Sequence, residues 1–129
     1  MIYGTCRCSE GEEHNATLTS HTPQSMNSEA FGNPGWDPMC AASDAAFLYF
    51  LPGMFRMAFE GDCDYMDQLL FHLGRPNRQA CFTSTQAKAM AAALRAWVEL
   101  YPEQASDPCY FKDMDSVLKQ LDEIGKSGT

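Results

Sequence analysis

Basic charge is what this sequence most lacks. Its 129 residues include 17 Asp and Glu but 9 Lys and Arg, which gives a net charge of −8. Between Cys8 and Gly74 there are ten acidic residues and only one basic residue, Arg56, so the net charge of that segment is −9. Nucleic acids and anionic membranes attract proteins of the opposite sign and are excluded as expected partners. A basic protein partner fits this charge, and the alternative is that the acidic residues serve solubility alone.

Long apolar runs are also missing. The most apolar stretch, residues 43–59, is shorter than a bilayer span and contains Pro52 and Gly53. The first residues do not combine a basic region with an apolar one, as a signal peptide would. We therefore expect a cytoplasmic protein that does not associate with membranes. Its six cysteines are expected to be mostly reduced.

No stretch alternates apolar and polar residues as a half-buried strand does, and no internal repeat is present. The chain is long enough for one core. We predict a single mainly-α domain, a small bundle of four to five helices. Residues 1–42 are polar and rich in turn-forming residues and are predicted to be irregular, while residues 43–125 form the helical core. Trp36 is expected to pin the irregular segment onto that core, and ligand binding is the alternative.

Apolar spacing and capping residues predict where the helices lie. Pro52 is expected to divide the most apolar stretch into two short helices that meet at an angle. Gln68 is expected on the polar side of its helix. The segment Thr83–Gln86 has the pattern of a capping box, and Asp113 is expected to cap the last helix. The predicted helices are 44–50, 52–60, 64–73, 83–101 and 114–124.

Catalytic motifs are absent from the sequence. It contains no Gly-rich phosphate loop and no Gly-x-Ser-x-Gly elbow. A nucleophilic pair would have to combine Cys8 or Cys81 with His72, and no local pattern supports it. His72 beside an apolar stripe is typical of a partly buried, hydrogen-bonded residue. We predict a non-enzymatic protein without a cofactor, zinc excepted.

Four potential zinc ligands occur near the N-terminus: Cys6, Cys8, His14 and His21. Zinc prefers Cys and His, and four of them can close a tetrahedral site. A metal would also order a polar segment that has little core of its own. The spacing is not that of a standard zinc finger, and the alternative is a flexible tail with incidental Cys and His residues.

Four motifs together resemble a family of small bacterial proteins of unassigned function. They are Asn33–Cys40, Phe47–Pro52, Asp67–Leu73 and Phe82–Gln86. Members of that family carry a Trp-containing loop, a helix that ends in Tyr-Tyr-Leu-Pro or Tyr-Phe-Pro, and a Phe-Thr-Pro-Glu-Gln helix start. The resemblance covers residues 6–100, and its motifs imply a fold more than an activity.

Some members of the family begin with Cys-x-Cys-x-x-Cys-x-x-His, which looks like a zinc site. Cys6, Cys8 and His14 match this motif, whereas Gly11 occupies the position of the third Cys. The resemblance therefore implies zinc binding here only if His21 substitutes for the missing ligand.

Size, charge and the absence of catalytic motifs favour a protein-binding module. The leading hypothesis is an immunity-type protein that neutralises a cognate bacterial toxin through an acidic surface. The residues expected on that surface are Glu12, Glu13, Asp62, Asp64 and Asp67. The alternative is a zinc-binding accessory or regulatory protein that uses the N-terminal Cys and His residues.

Overall fold

The structure, a computed structural model, describes residues 9–60 and 65–126, except the side chains of residues 9–11 and 109–112. These ranges contain eight α-helices and two short 3-10 segments, and no strand. The mainly-α prediction is confirmed, whereas a count of four to five helices is too low. None of the helices in the two described ranges has the length and apolar character that a membrane crossing requires.

The contacts of the chain divide it into two compact units, Met1–Leu69 and Leu70–Thr129. The helix Tyr65–Leu73 begins in the first unit and ends in the second. In chain order, the elements that begin in the first unit are α1 (Ser9–Thr19), α2 (Ser28–Phe31), the 3-10 segments Pro34–Trp36 and Pro38–Ala41, α3 (Asp44–Phe59) and α4 (Tyr65–Leu73).

Helix α1 lies within the segment that the sequence predicts to be irregular, so that prediction is wrong for residues 9–19. His14 and Leu18 are four residues apart and are both buried, at 4% and 1% exposure. One helical turn separates two such residues, so they form a short seam on one side of α1. This side packs against the second 3-10 segment, and tertiary contact makes the helix stable despite its polar sequence.

Helix α3 runs without interruption from Asp44 to Phe59, so the predicted division at Pro52 is wrong. Proline inside a helix removes a hydrogen bond and costs roughly 3 kcal/mol. Burying one large apolar side chain stabilises a protein by about 1.5–3 kcal/mol. Because α3 buries several such side chains, their burial outweighs the cost of Pro52 in the helix. The buried residues of α3 are Ala46, Phe47, Phe50, Leu51, Gly53, Met54, Met57 and Ala58.

Gly53 and Arg56 attach α3 to the segment that contains Pro23 and Met26. A Cβ atom at Gly53 would lie 2.5 Å from Met26 Sδ and 2.6 Å from the Pro23 carbonyl oxygen, so only glycine allows this approach. One turn later, Arg56 Nη2 donates to the Pro23 and Met26 carbonyl oxygens at 2.9 and 2.8 Å. Arg56 Nη1 donates to Glu60 at 3.0 Å.

The second unit contains the end of α4 and the helices α5 (Pro76–Gln79), α6 (Ser84–Leu100), α7 (Pro102–Ala105) and α8 (Pro108–Lys126). The capping box is confirmed, since Thr83 Oγ1 accepts from the Gln86 N–H and Gln86 Oε1 from the Thr83 N–H. Asp113 does not cap the last helix as predicted. That helix begins at Pro108, where the fixed φ angle of proline suits a first turn.

Helices α6 and α8 pack together and are joined at the surface by Arg95 and Asp122. Arg95 Nη1 and Nη2 donate to Asp122 Oδ1 and Oδ2 at 3.1 and 2.6 Å. The hydrogen bond raises the pKa of Arg95 and lowers the pKa of Asp122. Both side chains are substantially exposed, so solvent screens the pair and its contribution to stability is small.

Candidate functional site

Trp36 lies between two turns whose backbones are fixed by side-chain caps. Asn33 Oδ1 accepts from the Gly35 N–H at 2.9 Å and starts the first 3-10 segment. Asp37 Oδ1 accepts from the Met39 N–H at 2.9 Å and starts the second. A proline follows each cap and restricts φ to the value that the turn needs. Trp36 is therefore carried by a backbone that has little freedom left to lose on binding.

The second cap belongs to a buried hydrogen-bond network. Gln68 Nε2 donates to Asp37 Oδ2 at 3.1 Å and to the Phe31 carbonyl oxygen at 2.9 Å. Gln68 is 6% exposed, so its predicted place on the polar side of α4 is wrong. Buried oxygen atoms need hydrogen-bond donors. The side-chain amide of Gln68, on α4, is the donor to both the Asp37 carboxylate and the Phe31 carbonyl oxygen.

Trp36 is 40% exposed, so the prediction that this residue pins its segment to the core is wrong. Its neighbours Asp37, Pro38 and Met39 are buried and attach the segment instead. The Trp36 ring packs on the ring of His14, with 4.6 Å between the centroids and 44° between the planes. His14 thus supports the part of the indole that faces α1, and Trp36 as a whole remains 40% exposed.

Glu12 and Glu13 are exposed on α1. Successive helical residues are about 100° apart, so both glutamates project away from the side of α1 that carries His14 and toward solvent. Among the residues whose side chains are described, neither carboxylate forms an ion pair. The one basic residue between positions 8 and 74 is Arg56, and it is already bound to Glu60. We call Glu12, Glu13 and Trp36 the α1–Trp36 surface.

The other residues of the predicted acidic surface are only partly described. Asp67 is exposed on α4, as expected for a residue that faces a partner or solvent. Asp62 and Asp64 lie outside the described residues, as do the predicted zinc ligands Cys6 and Cys8.

Each described zinc candidate has a structural contact. His14 is buried against Trp36, and His21 Nδ1 lies 3.2 Å from the Ser25 carbonyl oxygen, to which it donates. In the part of the chain that the structure describes, neither histidine is grouped with two further potential ligands. The zinc hypothesis requires Cys6 and Cys8 and stays a prediction, which elemental analysis of the purified protein tests.

His72, the histidine considered for a nucleophilic pair with Cys8 or Cys81, is fully buried in the second unit. Its Nδ1 atom lies 2.7 Å from Nη1 of buried Arg78. The guanidinium is always a donor, so Nδ1 accepts this hydrogen bond. The hydrogen-bonded role predicted for His72 is confirmed, whereas its burial is complete rather than partial. Cys81 is half-buried and bonds to the Asn77 carbonyl oxygen at 3.5 Å.

The α1–Trp36 surface combines one rigidly held aromatic ring with two solvated carboxylates. Such a surface can bury apolar area against a partner and accept hydrogen bonds from its cationic groups. The sequence predicts that Glu12 and Glu13 lie on a binding surface, but it favours a core-facing position for Trp36. The missed signal is the pair of capped turns on either side of it, Asn33-Pro34 and Asp37-Pro38. Comparisons with protein-family models, curated proteins and solved structures gave no significant match.

Proposed function

We propose that this protein is a non-enzymatic binding module that recognises a basic protein partner through the α1–Trp36 surface. One observation carries the proposal: Trp36 is held rigidly by two capped turns and remains 40% exposed. Tryptophan is enriched among the residues that dominate binding energy at protein interfaces. A solvent-exposed indole on a fixed backbone is therefore a ready anchor for a partner.

The apolar gain available at Trp36 is substantial. An aromatic side chain buries 150–250 Å² in all, so burying the exposed 40% removes roughly 60–100 Å² from water. At about 25 cal/mol per Å² this stabilises a complex by about 2 kcal/mol, or roughly thirtyfold in Kd. Because the backbone is already fixed, little of that gain is lost to ordering.

Charge defines the kind of partner. Glu12 and Glu13 are not neutralised by described neighbours, and the segment around them carries −9. Complementary charge accelerates association and disfavours partners of the wrong sign. A surface rich in Arg and Lys is the complement that these carboxylates select.

At a finer level, we propose an immunity-type protein that acts in the cytoplasm by covering a basic, toxin-like domain. Such a toxin would present a basic surface around its active site, and the acidic module would occlude it. Asp62, Asp64 and Asp67 extend the binding surface in this proposal.

The proposal is tested by affinity capture from an extract of the native host, with two charge-matched variants. Glu12→Lys with Glu13→Lys alters the α1–Trp36 surface. Glu99→Lys with Glu103→Lys alters exposed positions of the second unit. Each pair of changes adds four units of charge and raises the net charge from −8 to −4.

We expect the unaltered protein and the Glu99/Glu103 variant to retain a basic protein in near-stoichiometric amount, and the Glu12/Glu13 variant to lose it. Equal loss in both variants would show that net charge, rather than this surface, is responsible. Retention by all three proteins, or a captured partner that is not basic, would contradict the proposed function.

A further inference from the structure

We propose that this protein forms a twofold-symmetric dimer through a groove in the second unit. The groove has a volume of about 360 Å³ and is lined by the end of α4, the start of α5 and one side of α8. Every residue that lines it belongs to the second unit. This dimer is separate from the partner binding proposed above, which uses elements of the first unit.

The groove and an exposed aromatic ring lie side by side. Leu70 and Val117 are buried and line the groove, as does Phe71. Phe71 is 60% exposed, more than any other aromatic residue that the structure describes. A cavity of this size holds a small ligand, so it has room for a phenyl ring. The same surface therefore offers both an exposed ring and a hollow that can receive one, as a self-complementary contact requires.

Two opposite charges at the groove have no partner in their own chain. Arg75 precedes α5 without capping it, and Asp113 is exposed on α8. Both residues line the groove. Among the residues that the structure describes, neither side chain forms an ion pair or a hydrogen bond, with the other or with a third residue. Both charges are therefore available to a partner.

Twofold symmetry pairs these charges without a second kind of protein. If Arg75 of one copy contacts Asp113 of the other, the symmetry repeats that contact with the two copies exchanged. A guanidinium can bind a carboxylate through two parallel hydrogen bonds, so the dimer gains two such pairs. Burying the exposed 60% of Phe71 also removes roughly 90–150 Å² per copy from water.

Net charge does not oppose this contact. Residues 70–129 include seven acidic and seven basic residues and carry no net charge, whereas residues 1–69 include ten acidic and two basic ones, which gives −8. Two copies that meet through their second units therefore approach without net repulsion between those units. A contact built around one groove is at the lower end of interface sizes, so we expect a dissociation constant of about 10–100 µM.

The test is sedimentation velocity of the full chain at about 5–500 µM, in a reducing buffer that prevents disulfide-linked dimers. Arg75→Glu and Asp113→Arg each place like charges opposite each other in the twofold contact. The matched controls, Lys88→Glu and Glu99→Arg, make the same changes of charge at exposed positions of α6 that do not line the groove. Circular dichroism checks that each variant is folded.

We expect the unaltered chain and both controls to dimerise, and each groove variant to dimerise at least about tenfold more weakly. An equimolar mixture of the Arg75→Glu and Asp113→Arg proteins should form a mixed dimer with an affinity within about threefold of the unaltered one, because each contact again joins opposite charges. Phe71→Ser should also weaken the dimer at least about tenfold, independently of either charge.

A chain that stays monomeric at the highest concentration overturns the proposed dimer. A dimer that both groove variants retain, or a mixture that associates no better than either variant alone, overturns it as well. If a charge variant fails to fold, Phe71→Ser decides: loss of the dimer supports the proposal, and an unchanged dimer overturns it. The binding of a basic partner is tested separately, since Glu12, Glu13 and Trp36 are unchanged in every protein used here.

Discussion

Replacing Gly53 with alanine is expected to lower the free energy of unfolding by about 2–3 kcal/mol. The new Cβ atom would lie 2.6 Å from the carbonyl oxygen of Pro23 and 2.5 Å from Met26 Sδ. A sulfur at the end of a flexible side chain can move, but a backbone oxygen moves only with its segment. The sign of the effect is diagnostic, since alanine in place of glycine inside a helix normally stabilises by about 0.5–1 kcal/mol.

Equilibrium unfolding in urea, followed by circular dichroism, measures this effect. The matched control is Gly35→Ala, because a Cβ atom there would meet only Asn33 Oδ1 at 3.4 Å. We expect the control to change the free energy of unfolding by less than about 0.5 kcal/mol. A Gly53→Ala protein as stable as the unaltered chain would show that α3 does not approach Pro23 and Met26 this closely.

Arg56→Met is expected to destabilise the protein by about 1–3 kcal/mol. Methionine retains much of the apolar stem of arginine but leaves the Pro23 and Met26 carbonyl oxygens without the donor that now lies within 2.9 Å of both. Losing one partner of a part-buried hydrogen bond leaves the other partner desolvated, which is the larger part of the cost.

The control for this variant is Glu60→Gln, which removes the ion pair to Arg56 and leaves both carbonyl bonds in place. Because the pair is exposed on the Glu60 side, the control should change the stability by no more than about 0.5 kcal/mol. If Glu60→Gln costs as much as Arg56→Met, the ion pair rather than the attachment of the Pro23–Met26 segment stabilises this region.

Helix α6 shows what the sequence can predict by local physics alone. Its start is determined by Thr83 and Gln86, which bond to each other's backbone as the pattern requires. Its buried side repeats at helical spacing, through Ala87, Met90 and Leu94 to Trp97. Capping and periodicity agree along the whole helix, so no distant contact is needed to identify it.

Helix α3 shows where local rules are outweighed. Pro52 and Gly53 predict a break, because each disfavours a helix on its own. The structure retains the helix because one side of it is buried almost continuously. In that setting Gly53 is required for close packing rather than for a turn, and no single-sequence pattern distinguishes these two roles.

The candidate site was only partly predictable for a similar reason. Glu12 and Glu13 are identified by charge, which the sequence displays directly. The exposure of Trp36 depends on Asp37 being buried, and Asp37 is buried because Gln68, distant in sequence, hydrogen bonds to it. Long-range bonds of this kind determine which of two neighbouring residues faces solvent.

The binding of a basic partner by the α1–Trp36 surface depends on a negative potential there, and ionic quenching of tryptophan fluorescence tests this potential most directly. Caesium and iodide are compared at equal ionic strength, each normalised to free N-acetyltryptophanamide. The Trp36→Phe variant supplies the baseline of Trp97, which is fully buried.

We predict that normalised quenching of Trp36 is about threefold stronger with caesium than with iodide, since surface potentials of this kind alter local ion concentrations severalfold. Glu12→Gln with Glu13→Gln should bring the ratio close to one. Equal quenching by both ions, or a ratio unchanged in the glutamine variant, would contradict the acidic, cation-selective surface proposed for this protein.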